Sequence, residues 1–285
     1  MKGKEVLRTL AKKYYGLYLP VEKGMSQSPW YRKYVLAGKP ENTEELPGFT
    51  GSEQDEIFLF STPAGEVEVI YLERREDFEL FLQKLAYRCE PEPIRPDVGA
   101  MMISGVINWE KIESHKRKYL EKRNLDWKEE FRRFTSRPEN FKDRVLILSG
   151  GPYSNYPAQK AGYTPEEWKK ISIDIRMYHE CTHYVCRNRW PEKKETVLDE
   201  VLADAVGLLG ATGRYDRRLA LEFLGVAEDG TYTGGRLGAY VSEDELPQRA
   251  AYALEISKKI ENICKSEEKA GSDPFSITEA FYRTL

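Results

Sequence analysis

At 285 residues the chain is long enough to bury a large core, as one domain or as two packed subdomains. Its net charge of −3 and pI near 5.9 argue against general nucleic-acid binding, which needs a concentrated positive surface, and its lysines and arginines are interleaved with acids as on solvated helix faces. Cys89, Cys181, Cys186 and Cys264 lack paired Cys-x-x-Cys spacing, which excludes a zinc ribbon or a dense disulfide framework, and no apolar stretch could span a membrane.

In chain order, residues 4–15 read as a short helix with Val6, Leu7, Leu10, Ala11 and Tyr14 inward. The charged, amphipathic Met1–Leu7 segment is unlike a signal peptide, so with the cysteine usage the expectation is a cytoplasmic protein. Residues 16–54 show no periodicity and read as irregular. Glu56–Phe60 and Val67–Leu72 flank Thr62-Pro63-Ala64-Gly65, the pattern of a β-hairpin. Phe78, Phe81, Leu82, Leu85 and Cys89 mark a helix that ends before the proline-rich 91–96, and two more helices are predicted over 109–123 and 126–135. His115 aligns with Ile112 and Tyr119 on the first of these, as a boundary residue of the core. Val145–Leu148 reads as a strand. The Gly150-Gly151 that follows is not a phosphate loop, since no Gly-Lys-Ser/Thr comes after it.

The next helix is the informative one. Thr164-Pro165-Glu166-Glu167 combines a capping residue, a proline at the first helical position and a glutamate three residues after the cap, so a helix should start near Pro165. Trp168, Ile171, Ile175, Tyr178, Thr182 and Val185 give it a buried stripe, and Pro191 should stop it near Asn188. Its interior carries His179-Glu180-Cys181-Thr182-His183. Residues four apart on a helix lie one above the other, so both imidazoles can address one ion, while Glu180 can reach a water held there without being a ligand.

A zinc site of this type takes a third protein ligand from another element and keeps one position open. Thr196 can cap a second helix with a broad apolar surface from Val197 to Leu209. On its other face Glu200, Ala203, Asp204 and Gly207 share a strip, where small side chains would let the two helices approach and bring Glu200 to the ion. Asp204, one turn on, could accept the second ring N–H of a histidine; Asp199 is the competing third ligand, at a different angle. Beyond it, helices are predicted near 214–225, 247–265 and 276–284, the last with a capping box at Ser276-Ile277-Thr278-Glu279, and Gly230–Gly235 reads as an exposed loop.

His-Glu-x-x-His followed by Glu-x-x-x-Asp on the next helix resembles the gluzincin branch of the zincin metallopeptidases, over roughly residues 165–212. The stretch between the second histidine and the glutamate is shorter than in the best-known members. The resemblance implies that His179, His183 and Glu200 are zinc ligands, Glu180 the general base and Asp204 a support behind a ligand. It also suggests that residues 144–150 form an edge strand holding an extended peptide, although an ordinary core strand fits that apolar run equally well.

The expectation is therefore an α+β, mostly helical, zincin-like protein. Residues 1–150 would form an α+β region with a hairpin and an edge strand, and residues 151–285 a helical metal-binding region with its C-terminal helices behind the site. The function implied is a zinc-dependent peptidase or related amide hydrolase acting on peptide or protein substrates, with neither nucleic acid nor membrane as partner. Tyr184, Arg176, Tyr215 and Tyr232 are candidate oxyanion donors. A hydrolase of non-peptide amides or esters is one rival. A structural zinc site in a non-catalytic binding protein is the other, with Cys181 or Cys186 as fourth ligand; Cys186 lies about 10.5 Å from His179 along the helix, too far for one ion to take both easily.

Overall fold

The structure, a computed structural model, describes residues 1–3, 5–121, 126–193, 195–266 and 273–284. The final residues of the helix predicted over 109–123, and Lys4 of the first, lie outside them. Contacts divide the chain into two compact units, one of residues 1–59, 68–95 and 101–149, the other of residues 60–67, 96–100 and 150–285. The fold is α+β, mostly helical, with one four-stranded mixed sheet.

The first unit opens with α1 (Glu5–Lys13), whose Val6, Leu7, Leu10 and Ala11 are buried as their spacing requires. The stretch predicted as irregular holds 3₁₀ turns and a one-turn helix, α2 (Pro29–Tyr31), continued by a π-turn. β1 (Glu56–Thr62) and β2 (Gly65–Leu72) make the expected hairpin, and α3 (Arg75–Leu85) follows. β3 (Ala100–Ile107) was not legible beforehand, because exposed Ser104 and Gly105, the latter at φ +82°, interrupt the apolar alternation that marks a strand. α4 (Trp109–Leu120) and α5 (Trp127–Thr135) precede β4 (Lys142–Ser149).

The sheet order is β1-β2-β4-β3, with β2 and β4 parallel from Glu68 opposite Val145 to Leu72 opposite Ser149. This corrects the edge-strand expectation for residues 144–150: β4 is interior, and the edges are β1 and β3. The physical reason is pairing, since β2 and β3 take the hydrogen-bonding groups on the two sides of β4, while the unbroken burial of Val145–Ser149 shows that both of its faces are covered as well.

In the second unit, a one-turn helix α6 (Ala158–Ala161) leads to α7 (Pro165–Arg189), which carries the motif. Thr164 and Glu167 form the reciprocal capping box, worth about 1 kcal/mol for the cap itself. α8 (Thr196–Thr212) is capped by Glu195, which accepts from Leu198 N–H at 2.6 Å; Thr196 is its first helical residue, not its cap. α7 and α8 approach closely because Gly207 and Gly210 present only hydrogen to α7: a Cβ at Gly207 would stand 3.0 Å from the Ile175 carbonyl oxygen, and one at Gly210 2.3 Å from the Tyr178 ring. Trp168, Ile175, Leu208, Phe223 and Tyr153 form the core beside this contact.

α9 (Arg217–Leu224), α10 (Leu246–Ser266) and α11 (Ser276–Tyr282) complete the unit. α10 buries Ala253, Ile256 and Ile260. The capping box expected at Ser276 does not form: Phe275 is the cap residue without a side-chain cap, and Glu279 pairs with Arg283 one turn on. No helix among the described residues is long and apolar enough to cross a membrane.

Candidate metal centre

All the candidate site residues lie within the second unit. On α7, His179 and His183 bring their Nε2 atoms to 3.1 Å of each other, with the rings nearly perpendicular at 85°. Glu200 on α8 meets them, Oε2 at 3.5 Å from His179 Nε2 and Oε1 at 3.4 Å from His183 Nε2. Zinc bonds of 2.0–2.2 Å at tetrahedral angles separate neighbouring ligand atoms by roughly 3.3–3.5 Å, so the three side chains already stand at ligand spacing. Glu200 Oε2 is moreover buried without a hydrogen-bond partner. Buried polar atoms are seldom left so, and a bound cation would satisfy this one. The donor set could therefore hold a metal ion, and two imidazoles with a carboxylate are ligand types that suit zinc.

Behind His179, Asp204 Oδ1 lies 2.9 Å from Nδ1. A proton on Nδ1 directed at that carboxylate leaves the Nε2 lone pair facing His183 and Glu200, the tautomer a ligand needs. Asp204 is fully buried and held by more than the histidine. Arg236 donates to both of its oxygens at 2.6 Å, and the Tyr153 hydroxyl donates to Oδ1 at 2.6 Å while standing 2.9 Å from His179 Nδ1. Burial opposes ionisation of Asp204, but Arg236 and His179 outweigh it and hold its pKa below the ordinary value. Burial likewise resists charge on Glu200, and His183, His179 and Arg236 reverse that, so both carboxylates stay ionised. With one arginine set against two carboxylates, the cluster carries a net negative charge before any histidine is protonated, which favours a cation.

Arg236, Tyr153 and Tyr240 were not foreseen. Arg236 begins a 3₁₀ turn after Gly234-Gly235, and this is where the predicted exposed loop acquires its use. Gly225 sits at φ +76°, and a Cβ there would be 2.3 Å from the Gly234 carbonyl oxygen, so only glycine lets the loop fold back and deliver the guanidinium. Tyr153 follows Gly150-Gly151-Pro152. Ser172 accepts its N–H at 2.9 Å, and Arg176 donates to the Gly151 and Pro152 carbonyls at 2.5 and 2.6 Å. Ser154 and Asn155, next to it, adopt left-handed φ values of 50° and 54°, and Arg236 donates to the Ser154 hydroxyl at 2.8 Å. Tyr240 is half-buried; burial first, and then the Glu200 carboxylate, raises its pKa and keeps it protonated. A Gly-Gly pair before an arginine or a tyrosine was the available signal, but its meaning depends on contacts distant in sequence.

Glu180 is half-buried beside the trio, close enough to His183 for its charge to favour the imidazolium. Asp199 does not join the cluster; its Oδ1 accepts from the Tyr282 hydroxyl at 3.5 Å. Cys181 and Cys186 are also absent from it, and burial pushes both thiols up to about 12. Three of the four sequence-nominated oxyanion donors are engaged elsewhere: Tyr184 donates to the Ala64 carbonyl, Arg176 to the Gly151 and Pro152 carbonyls, and Tyr232 to the Gly235 carbonyl. Tyr215 is half-buried with its hydroxyl buried, and that desolvation chiefly raises its pKa. His115 is 2.6 Å from Glu130 and stacked on Phe134 at 4.1 Å, a structural role.

Residues 1–280 match the model of a family described as a family of unknown function, DUF7005. No curated protein matches the chain. No solved structure does so either.

Proposed function

We propose that this chain, which belongs to the DUF7005 family, is a zinc-dependent peptidase or related amide hydrolase with a zincin-like helix pair at its centre. The observation that carries this reading is the convergence of His179, His183 and Glu200 at 3.1–3.5 Å, with a buried Glu200 oxygen that has charged neighbours, His179 and Arg236 at 3.5 and 3.7 Å, but no hydrogen bond. These three residues would hold the ion. Zinc bound there would supply Lewis acidity, lowering the pKa of a water towards neutrality and polarising a carbonyl.

The remaining work falls to the chain. Glu180 would take a proton as the water's oxygen bonds to the carbonyl carbon and the C=O π pair moves to oxygen; it would then pass that proton to the amide nitrogen, so that the C–N bond breaks as the carbonyl re-forms, leaving an acid and an amine. Asp204 and Tyr153 hold His179 in one tautomer and one orientation. Arg236 keeps Asp204 ionised, and Tyr240 stands protonated beside Glu200. We place the protein in the cytoplasm, because its four cysteines are free thiols.

Glu180→Gln tests the reaction. The variant should keep its metal and lose about 10²–10⁴-fold in turnover on a peptide library, the usual contribution of a general base. Undiminished turnover, or no turnover by the zinc-loaded wild-type chain on any peptide or amide, would overturn the hydrolase reading.

A further inference from the structure

The first unit contains a cavity of about 510 Å³, lined by residues of the 14–36 stretch, the end of α3 and edge strand β3. Small-molecule sites are typically about 300–1,000 Å³. Its chemistry is one-sided. Arg32, Arg88, Lys84 and Lys142 all contribute to the lining, and among the described residues lining it there is no aspartate or glutamate. In a chain with a net charge of −3, a concave surface bearing four cations and no acid is a local inversion of the overall balance.

Two of the four cations are held in place, Arg88 by its turn and Lys84 by its hydrogen bonds. Arg88 and Cys89 adopt consecutive left-handed conformations at φ 56° and 64°, which side chains disfavour. That turn is locked: Cys89 N–H donates to the Gln83 carbonyl at 2.8 Å, its carbonyl accepts from Glu22 N–H at 3.0 Å, and its buried thiol faces the Gly16 and Lys84 carbonyls. The strain therefore sets where Arg88 leaves the backbone, at the cavity wall. Lys84 is fixed in that wall by its bonds to the Leu17 and Pro47 carbonyls. The other component is aromatic. Trp109 and Tyr15 stack with ring planes 6° apart and join Tyr31 in the lining, offering a firm apolar surface.

We infer that this cavity binds a small organic anion, its phosphate or carboxylate head held by Arg32, Arg88 and Lys142 and its apolar or aromatic body packed against Tyr15, Tyr31 and Trp109. Arginine forks recognise such heads in bidentate fashion, and a lining without acids presents no repulsion. The inference goes beyond the hydrolase reading and stands independently of it.

The test uses the full chain and 1-anilinonaphthalene-8-sulfonate, an aromatic anion, beside the neutral N-phenyl-1-naphthylamine. Fluorescence titration should give one saturable site for the anion and at least tenfold weaker binding of the neutral ring. Arg88→Ser combined with Lys142→Ser should weaken the anion about tenfold or more, with an unchanged circular dichroism spectrum because neither side chain is in the core. Displacement by adenosine monophosphate would assign a phosphate head, and displacement by octanoate a carboxylate. Equal binding of the two probes, an anion affinity unmoved by the double variant, or displacement by neither competitor at millimolar concentration would overturn the inference. The comparison of the two probes on the wild-type chain decides the matter even if the double variant does not fold.

Discussion

Asp204 has no exposure to solvent, yet its pKa is held below the ordinary value, because one Arg236 nitrogen donates to both of its oxygens and His179 and Tyr153 complete its hydrogen bonds. Removing one partner of such a buried pair leaves the other's charge uncompensated, at a cost of about 3–5 kcal/mol. Arg236→Met should therefore lower the free energy of unfolding in urea by about that amount. Asp204→Asn with Arg236→Met should recover part of the loss, because no lone charge then remains; simple additivity of the two single changes would show that the pair is not coupled. Asp204→Asn alone should weaken zinc binding by about 10–100-fold, since the His179 tautomer and basicity depend on that carboxylate. Isothermal titration with zinc reads this directly, and an unchanged affinity would remove Asp204 from the account.

Helix contacts bring these residues together. α7 and α8 meet through Gly207, where an added Cβ would press on the Ile175 backbone carbonyl at 3.0 Å, a neighbour that cannot rotate away. Gly207→Val should cost about 1–3 kcal/mol by overpacking and move Glu200 off the histidines, so unfolding midpoint and zinc affinity should fall together. A variant with wild-type zinc affinity would mean that the close approach does not position the site. A second helix pair gives a pH signature. Glu130 on α5 is held down to about 2, from an ordinary 4.5, by hydrogen bonds from Arg133 first and then His115. A carboxyl whose pKa is lowered on folding lends stability that is complete above its unfolded pKa and is lost as pH falls through the folded one. Thermal midpoints should therefore decline from about pH 4.5 towards pH 2, and Glu130→Gln should flatten part of that decline. An identical acid limb in wild type and variant would place the effect on other carboxyls.

Across the whole molecule, what could be read from the sequence was local. The α7 cap, its buried stripe and the spacing of His179, Glu180 and His183 depend on residues within a few turns of one another, and Glu200 and Asp204 needed only the further step that small residues on α8 allow two helices to close. The sheet was less legible. β2 pairs with β4 across some seventy residues, and no short-range pattern reports that β3, broken by Ser104-Gly105, lies on the far side and makes β4 interior. Arg236 and Tyr240 follow a glycine turn, and Tyr153 lies on a pinned loop; their use is set by long-range contacts alone, so composition and periodicity could not single them out. Caps showed the same limit, with Glu195 displacing Thr196 and Phe275 displacing Ser276 by a single position.

If one ion joins two turns of α7 to α8, the metal content of the purified chain reports it. Purified wild-type chain, dialysed after exposure to zinc, should retain about one zinc per molecule by inductively coupled plasma mass spectrometry, while His183→Ala and Glu200→Ala, each shown to be folded, should retain almost none. Equal zinc in all three proteins, or none in the wild type, would mean that these residues hold no ion.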